Sequence, residues 1–240
     1  IKKKHLPSLL KIAVLQPIAY FTCETFGIQM TTASESGSII ACIPIASLVA
    51  SILFLQKKPT RFQTSGICLT VVGVIVCVTA KGFESSFSGI GYIMLCMAVL
   101  SYSLYCVSAE KADKTTSIEK TYVMIACGAC FFATMAIARS IAAGTVVDLF
   151  MLPFQNTVFL FSILYLGIAS SVLSFVLFNI SISSIGTNKA SSFVGISTAV
   201  SVLAGVFILD EKFSAMQCYG TLIILLGVYI ANMKSRFFWR

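Results

Sequence analysis

Charge is scarce in this sequence. Asp, Glu, Lys and Arg make up 11% of its 240 residues, against about 25% in a typical soluble domain, too little polar surface to keep the fold in water. There is one histidine, His5, which precedes every apolar stretch, and no aspartate lies in the middle of one. An intramembrane hydrolase needs His/Asp, Ser/His or paired aspartates at depth, so that class is argued against. Neither a P-loop nor a Gly-rich phosphate cradle occurs, which argues against a nucleotide-driven machine within this chain. The residue-by-residue alternation of a transmembrane β-barrel is missing too.

What is abundant is apolar length. Hydrophobic residues make up 58% of the chain and the mean hydropathy is +0.95. Crossing a bilayer takes about 20 predominantly apolar residues. Eight such segments fall near 8–29, 34–55, 61–80, 87–108, 119–140, 157–180, 187–209 and 214–233. The connections are too short for a separate soluble domain. The sequence predicts an all-α polytopic membrane protein.

The formal charge of +8 would suggest nucleic acid in a soluble protein, but its distribution argues otherwise. With alternate loops assigned to opposite sides, the first side collects Lys2, Lys3, Lys4, Lys11, Lys57, Lys58, Arg61, Lys111, Lys114, Lys120, Lys189, Lys234, Arg236 and Arg240. The other side has only Lys81, Arg139 and Lys212. By the positive-inside rule the first side is predicted cytoplasmic, and the C-terminal tail with it. The excess charge then sets orientation and meets lipid headgroups; no nucleic-acid partner is expected.

The nine cysteines fall in or at the ends of apolar spans, where the thiol behaves as a small hydrophobe. Cys127 and Cys130 have CxxC spacing, yet no second pair or nearby histidine completes a zinc site. No metal and no cofactor are expected.

An internal likeness appears at an offset of 154 residues: "LFLQKKPTRFQTSGICLTVVGV" (53–74) lies over "FILDEKFSAMQCYGTLIILLGV" (207–228). Leu55, Lys58, Gln63, Gly66, Gly73 and Val74 match Leu209, Lys212, Gln217, Gly220, Gly227 and Val228, and the span boundaries coincide. The two copies face opposite sides by the charge count, so they read as inverted repeats. The second copy, 81–240, holds five spans and the first, 1–80, three. The expectation is a fragment with eight of ten helices, the first copy starting about 67 residues before Ile1. Inverted repeats are a signature of secondary transporters, with the substrate site near the membrane midplane.

Four stretches carry a family resemblance: "ETFGIQMTTASESGSIIACIPIASLVASILFLQKKPTRFQTSG", "GIGYIMLCMAVLSYSLYCVSAEK", "SSFVGISTAVSVLAGVFILDEKFSAMQCYG" and "GTLIILLGVYIAN". In order and spacing the chain resembles the EamA-type transporters of the drug/metabolite transporter superfamily. The resemblance implies a five-plus-five inverted-repeat fold and export of amino acids, other metabolites or drugs. Two departures stand out. Lys57 occupies a position where the family usually has Glu, and Thr198 lies where the proline matching Pro44 would be.

Several residues are candidates for a substrate or coupling site. Gln16, Tyr20 and Glu24 share one helical stripe at i, i+4 and i+8. An acidic group there is costly against lipid, so Glu24 either serves a proton or a cationic amine or reaches water in an outer vestibule. Pro44 interrupts its segment, as a kink that also lines a pathway or as a structural kink alone. Ser170, Ser171, Ser174 and Asn179 give one helix a polar side. Tyr102 and Tyr105 could stack on a ligand or anchor at the interface, Tyr105 equally well in either role. Ser191, Gly195 and Thr198 read first as a packing stripe with hydroxyls secondarily available. Gly66, Gly73, Gly220 and Gly227 read as packing seams. Glu110, Asp113 and Glu119 are expected to be solvated in a cytoplasmic loop.

The expected function is a secondary exporter of small metabolites, proton-coupled through Glu24, in the plasma membrane of a bacterium, as monomer or homodimer. The alternatives are a metabolite exchanger like those for nucleotide sugars, or a channel or lipid scramblase on the same fold.

Overall fold

The computed structural model describes residues 5–31, 33–79, 88–196, 200 and 214–233. Among them every regular element is helical. Four helical stretches are long and apolar enough to cross a membrane: Leu6–Gln29, Gly89–Lys111, Ser117–Ala143 and Thr157–Ile185. Shorter apolar helices pack beside them.

The first stretch is not one regular helix. It comprises α1 (Leu6–Ala13), a kinked segment (Val14–Ala19) and α2 (Tyr20–Gln29). Pro17 lies inside the kink; it has no amide hydrogen, and its ring clashes with the turn before it. The residue ahead of a proline is pushed out of the helical region, and Gln16 is extended, with φ −141° and ψ 117°. The next predicted span, 34–55, is divided into α3 (Ala33–Ile40) and α4 (Ile43–Leu55). The break falls at Ala41–Cys42, which leaves Pro44 in the first turn of α4, where a missing amide hydrogen costs little.

α5 covers Arg61–Thr79 and α6 Gly89–Lys111, the latter capped by Ser88, whose hydroxyl accepts from the Gly91 amide at 3.2 Å. α7 (Ser117–Ala143) begins with a reciprocal capping box between Thr116 and Glu119 and ends at Gly144, whose φ is +69°. Residues 141–156, read from sequence as a connection, contain α8 (Val146–Gln155). Then come α9 (Thr157–Leu164), a π-helical segment (Tyr165–Leu173), α10 (Ser174–Ile185), α11 (Thr187–Ser192) and α12 (Ala215–Asn232).

Of the buried clusters among the described residues, two regions join the first and last elements to the others. In one, Leu9 and Ile12 of α1 meet Tyr105 and Cys106 of α6, Met124 of α7 and Ile182 of α10, all buried. In the other, α5 and α12 run against each other. There the backbones themselves touch: a Cβ added at Gly66 would lie 2.6 Å from the Gly227 carbonyl oxygen, and one at Gly73 2.8 Å from that of Gly220. These four glycines are packing positions because no side chain fits, as the sequence suggested. The stretch Thr157–Ile185, by contrast, keeps Phe161, Leu166 and Ile168 exposed, the surface a lipid-facing helix presents.

Candidate functional site

Five of the residues singled out from sequence, Tyr20, Glu24, Tyr102, Tyr105 and Asn179, are joined in one chain of contacts. The Tyr20 hydroxyl donates to Glu24 Oε1 at 2.7 Å. Its ring packs edge-on against Tyr102 of α6, with centroids 5.3 Å apart. Tyr102 in turn meets Tyr105 at 5.7 Å. The Tyr105 hydroxyl donates to Asn179 Oδ1 at 3.0 Å, and Asn179 Nδ2 donates to Thr121 Oγ1 of α7 at 3.1 Å. A polar and aromatic chain thus runs from Glu24 through α2, α6 and α10 to α7. Phe178 closes over both tyrosines, 5.8 and 6.4 Å from their ring centroids.

Gln16 is buried at the helix interruption, four residues before Tyr20. Its Oε1 has no hydrogen-bond partner among the described residues. Such an acceptor costs about 1–3 kcal/mol, and a ligand donor or proton would relieve it. Next to it, Ser101 of α6 donates to the Leu15 carbonyl at 2.8 Å.

The other candidates are placed differently. Pro44 is buried next to Ile43, which packs with Tyr20, Ala98 and Val99. Standing in the first turn of α4, it is where a missing amide hydrogen breaks no bond of the helix. Ser171 and Ser174 donate to the Leu166 and Ala169 carbonyls of their own helix, at 2.8 and 3.3 Å. The π segment supplies those carbonyls, and neither serine reaches the tyrosine chain. Thr198 lies outside the described residues. Ser191 is buried and donates to the Asn188 carbonyl at 3.4 Å.

The sequence left Tyr105 between two roles, expected Glu110 to be solvated and counted Lys120 only as a charge setting orientation; the structure places all three. Tyr105 is no interfacial anchor: its side chain is fully enclosed, because Asn179 satisfies its hydroxyl. Glu110 is not solvated. It pairs with Lys57, from the α4–α5 connection, and accepts from the Thr187 amide at 2.8 Å. Lys120 is only 2% exposed, and its ammonium donates to the Ala109 carbonyl at 2.7 Å. That carbonyl belongs to the last turn of α6, where a cation suits the negative helix end. Separations of 53 and 77 residues hide the Glu110 contacts from any local pattern. For Lys120 a signal existed, since it lies four residues past an N-cap threonine, inside a helix.

All nine cysteines are unbridged, and no metal-ligating cluster occurs among the described residues. Helices alone among the described residues, four of them long and apolar enough to cross a bilayer, define a polytopic α-helical membrane protein. The EamA-like transporter family model matches residues 1–79 and 89–233, and the chain belongs to that family. It is 34% identical over 236 residues to "Uncharacterized transporter YcxC" of Bacillus subtilis, covering 98% of this chain and 75% of that protein. A chloroplastic WAT1-related protein of Arabidopsis thaliana is 23% identical across 87% of this chain and 50% of its own length. One solved crystal structure superposes with a TM-score of 0.74 at 14% identity, over 92% of this chain and 76% of that one. That likeness concerns the fold alone.

Proposed function

We propose that this protein is a secondary transporter that exports small metabolites, amino acids or drugs among them, by alternating access, with Glu24 as the proton-coupling group. The observation that carries the reading is the Tyr20–Glu24 hydrogen bond with Tyr102 packed against it. A carboxylate in an apolar span is expensive unless it faces an interior, and this one is held by an internal partner. The unpartnered Gln16 Oε1 nearby adds a site for a donor.

Two units, 1–80 and 81–240, form the moving halves. Three things support this: the sequence offset, the family match in two stretches that part between residues 79 and 89, and the glycine contacts. Under that offset Gly66 corresponds to Gly220 and Gly73 to Gly227, so the Gly66–Gly227 and Gly73–Gly220 contacts map onto each other. A two-fold relation between inverted repeats produces such a pairing. The lysine-rich side and the C-terminus face the cytoplasm of a bacterial plasma membrane.

The test compares extracellular metabolites of cells carrying the full-length protein, its Glu24→Gln variant, or neither. Compounds accumulating outside wild-type cells alone give the substrate class and a role for Glu24. Equal accumulation with Glu24→Gln would retain export and remove Glu24 from coupling; no difference among the three would sink the exporter reading.

A further inference from the structure

At the lysine-rich end, three segments meet at one carboxylate. Glu110, in the last turn of α6, is 13% exposed in its side chain and pairs with Lys57. Its second oxygen takes the Thr187 amide, at the α10–α11 junction, at 2.8 Å. Gly186 makes this possible: its φ is +80°, and a Cβ there would come 3.4 Å from Glu110 Oε1 and 3.7 Å from Lys57 Nζ. An added Cβ would make only ordinary contact with the pair; what the position demands is the positive φ, a backbone conformation that L-residues avoid.

Two clefts adjoin Lys57. One, of about 640 Å³, is lined also by Glu110, Asp113, Lys120 and Ser183. The other, of about 330 Å³, is lined also by Lys58, Gln63, Thr187 and Asn188. Lys57, Ile185 and Gly186 border both. Each volume falls within the range of about 300–1,000 Å³ that small-molecule sites occupy.

Below the pair, one face of α6 leads inward, since Cys106, Ser103 and Tyr102 stand four, seven and eight residues before Glu110. The Cys106 carbonyl accepts from Thr187 Oγ1 at 3.0 Å, and Ser47 of α4 donates to Ser103 at 3.4 Å. Tyr102 belongs to the chain that ends at Glu24. The ion pair therefore sits over the line of polar groups that reaches the candidate site.

We propose that the Lys57–Glu110 pair, tied to the Thr187 amide, is a latch that closes the lysine-rich end of the pathway. Opening breaks the ion pair, joins the two clefts into one vestibule and exposes the α6 face beneath. Lys57 belongs to the first unit while Glu110 and Thr187 belong to the second, so rocking of the halves must separate them. The inference rests on the transport reading for what passes the latch, but the opening itself is readable without a substrate.

Cys106, fully buried one turn below Glu110, is a native reporter. Full-length protein in detergent would be treated with a trimethylammonium-bearing methanethiosulfonate, and modification at each cysteine quantified by peptide mass spectrometry. Lys57→Ala and Glu110→Gln are expected to raise the Cys106 rate about tenfold by enlarging a minor open population. Cys77, buried between α5 and α12, should stay protected. The double variant Lys57→Glu/Glu110→Lys restores the ion pair without the Thr187 contact, so it should bring the rate part of the way back. Unchanged Cys106 modification in both single variants would overturn the latch. So would a parallel rise at Cys77, which would make the pair a clamp on the whole fold, or a double variant as reactive as the singles. Because no transport is measured, a failed latch and a failed exporter reading give different results.

Discussion

Tyr105 and Asn179 join α6 to α10 through a single hydrogen bond, 3.0 Å from hydroxyl to amide oxygen, in a place where neither residue meets solvent. Asn179 spends its amide hydrogens on Thr121 and the Met124 sulfur, so Tyr105 alone serves Oδ1 among the described residues. Tyr105→Phe leaves that oxygen buried and bare. Interhelical hydrogen bonds in membranes average about 0.6 kcal/mol and reach about 1.7, and an orphaned acceptor pushes the loss toward the upper figure. Denaturant unfolding in detergent should show about 1–2 kcal/mol lost. The Tyr105→Phe/Asn179→Leu double variant should lose clearly less than the sum of the two single losses. Additive losses would mean the bond is not a coupled pair.

The glycine seam makes a sharper prediction. Gly66→Ala drives a methyl to 2.3 Å from the Ala231 amide nitrogen, and Gly227→Ala to 2.5 Å from that of Thr70. Backbone cannot step aside as a side chain can. Overpacking of this kind costs about 1–3 kcal/mol, and each variant should lower the thermal midpoint in detergent. Gly89→Ala is the control, because nothing lies within 4 Å of its added carbon.

At the candidate site, Glu24→Asp shortens the side chain and draws the carboxylate away from Tyr20, while Tyr20→Phe removes the hydroxyl outright. In proteoliposomes with an imposed pH gradient, both should slow uphill export several-fold without abolishing it. Glu24→Gln should abolish it. Uphill export at the wild-type rate in Glu24→Gln would take the carboxylate out of coupling.

Lys120 tests whether a buried cation caps α6. Lys120→Met keeps most of the aliphatic stem but leaves the Ala109 carbonyl without its ammonium, at a cost of about 1–2 kcal/mol. Lys120→Ala loses the packing of the stem as well and should be worse. Equal midpoints for the two variants would mean that the stem contributes nothing.

The class of fold was plain from composition, because apolar length and sparse charge leave few alternatives. Of the Gln16–Tyr20–Glu24 stripe, the Tyr20–Glu24 part was legible, since helical periodicity puts i and i+4 on one side and Tyr20 does bond Glu24; Gln16 sits at a non-helical break, across which that periodicity does not hold. Joining Tyr20 to Tyr102 and Tyr105 to Asn179 depends on how separate helices pack, and no local pattern encodes that. Ser171 and Ser174 illustrate the limit. Their spacing suggests a polar face, whereas the local π-helical geometry offers their hydroxyls carbonyls five residues back. Pro44 is another case: the proline announces an interruption, but the chain breaks before it, at Ala41–Cys42.

One mechanical consequence concerns α5 and α12. Where helices meet through long side chains, rotamer changes let them slide; here Gly66, Gly73, Gly220 and Gly227 bring main chain against main chain, with almost nothing to rearrange. Movement that kept this contact would be rotation about it rather than translation across it. In the proposed motion of two units the seam would then be an axle: the helices farthest from it would sweep the widest arcs, and the smallest displacement would fall where a single added methyl would be felt most.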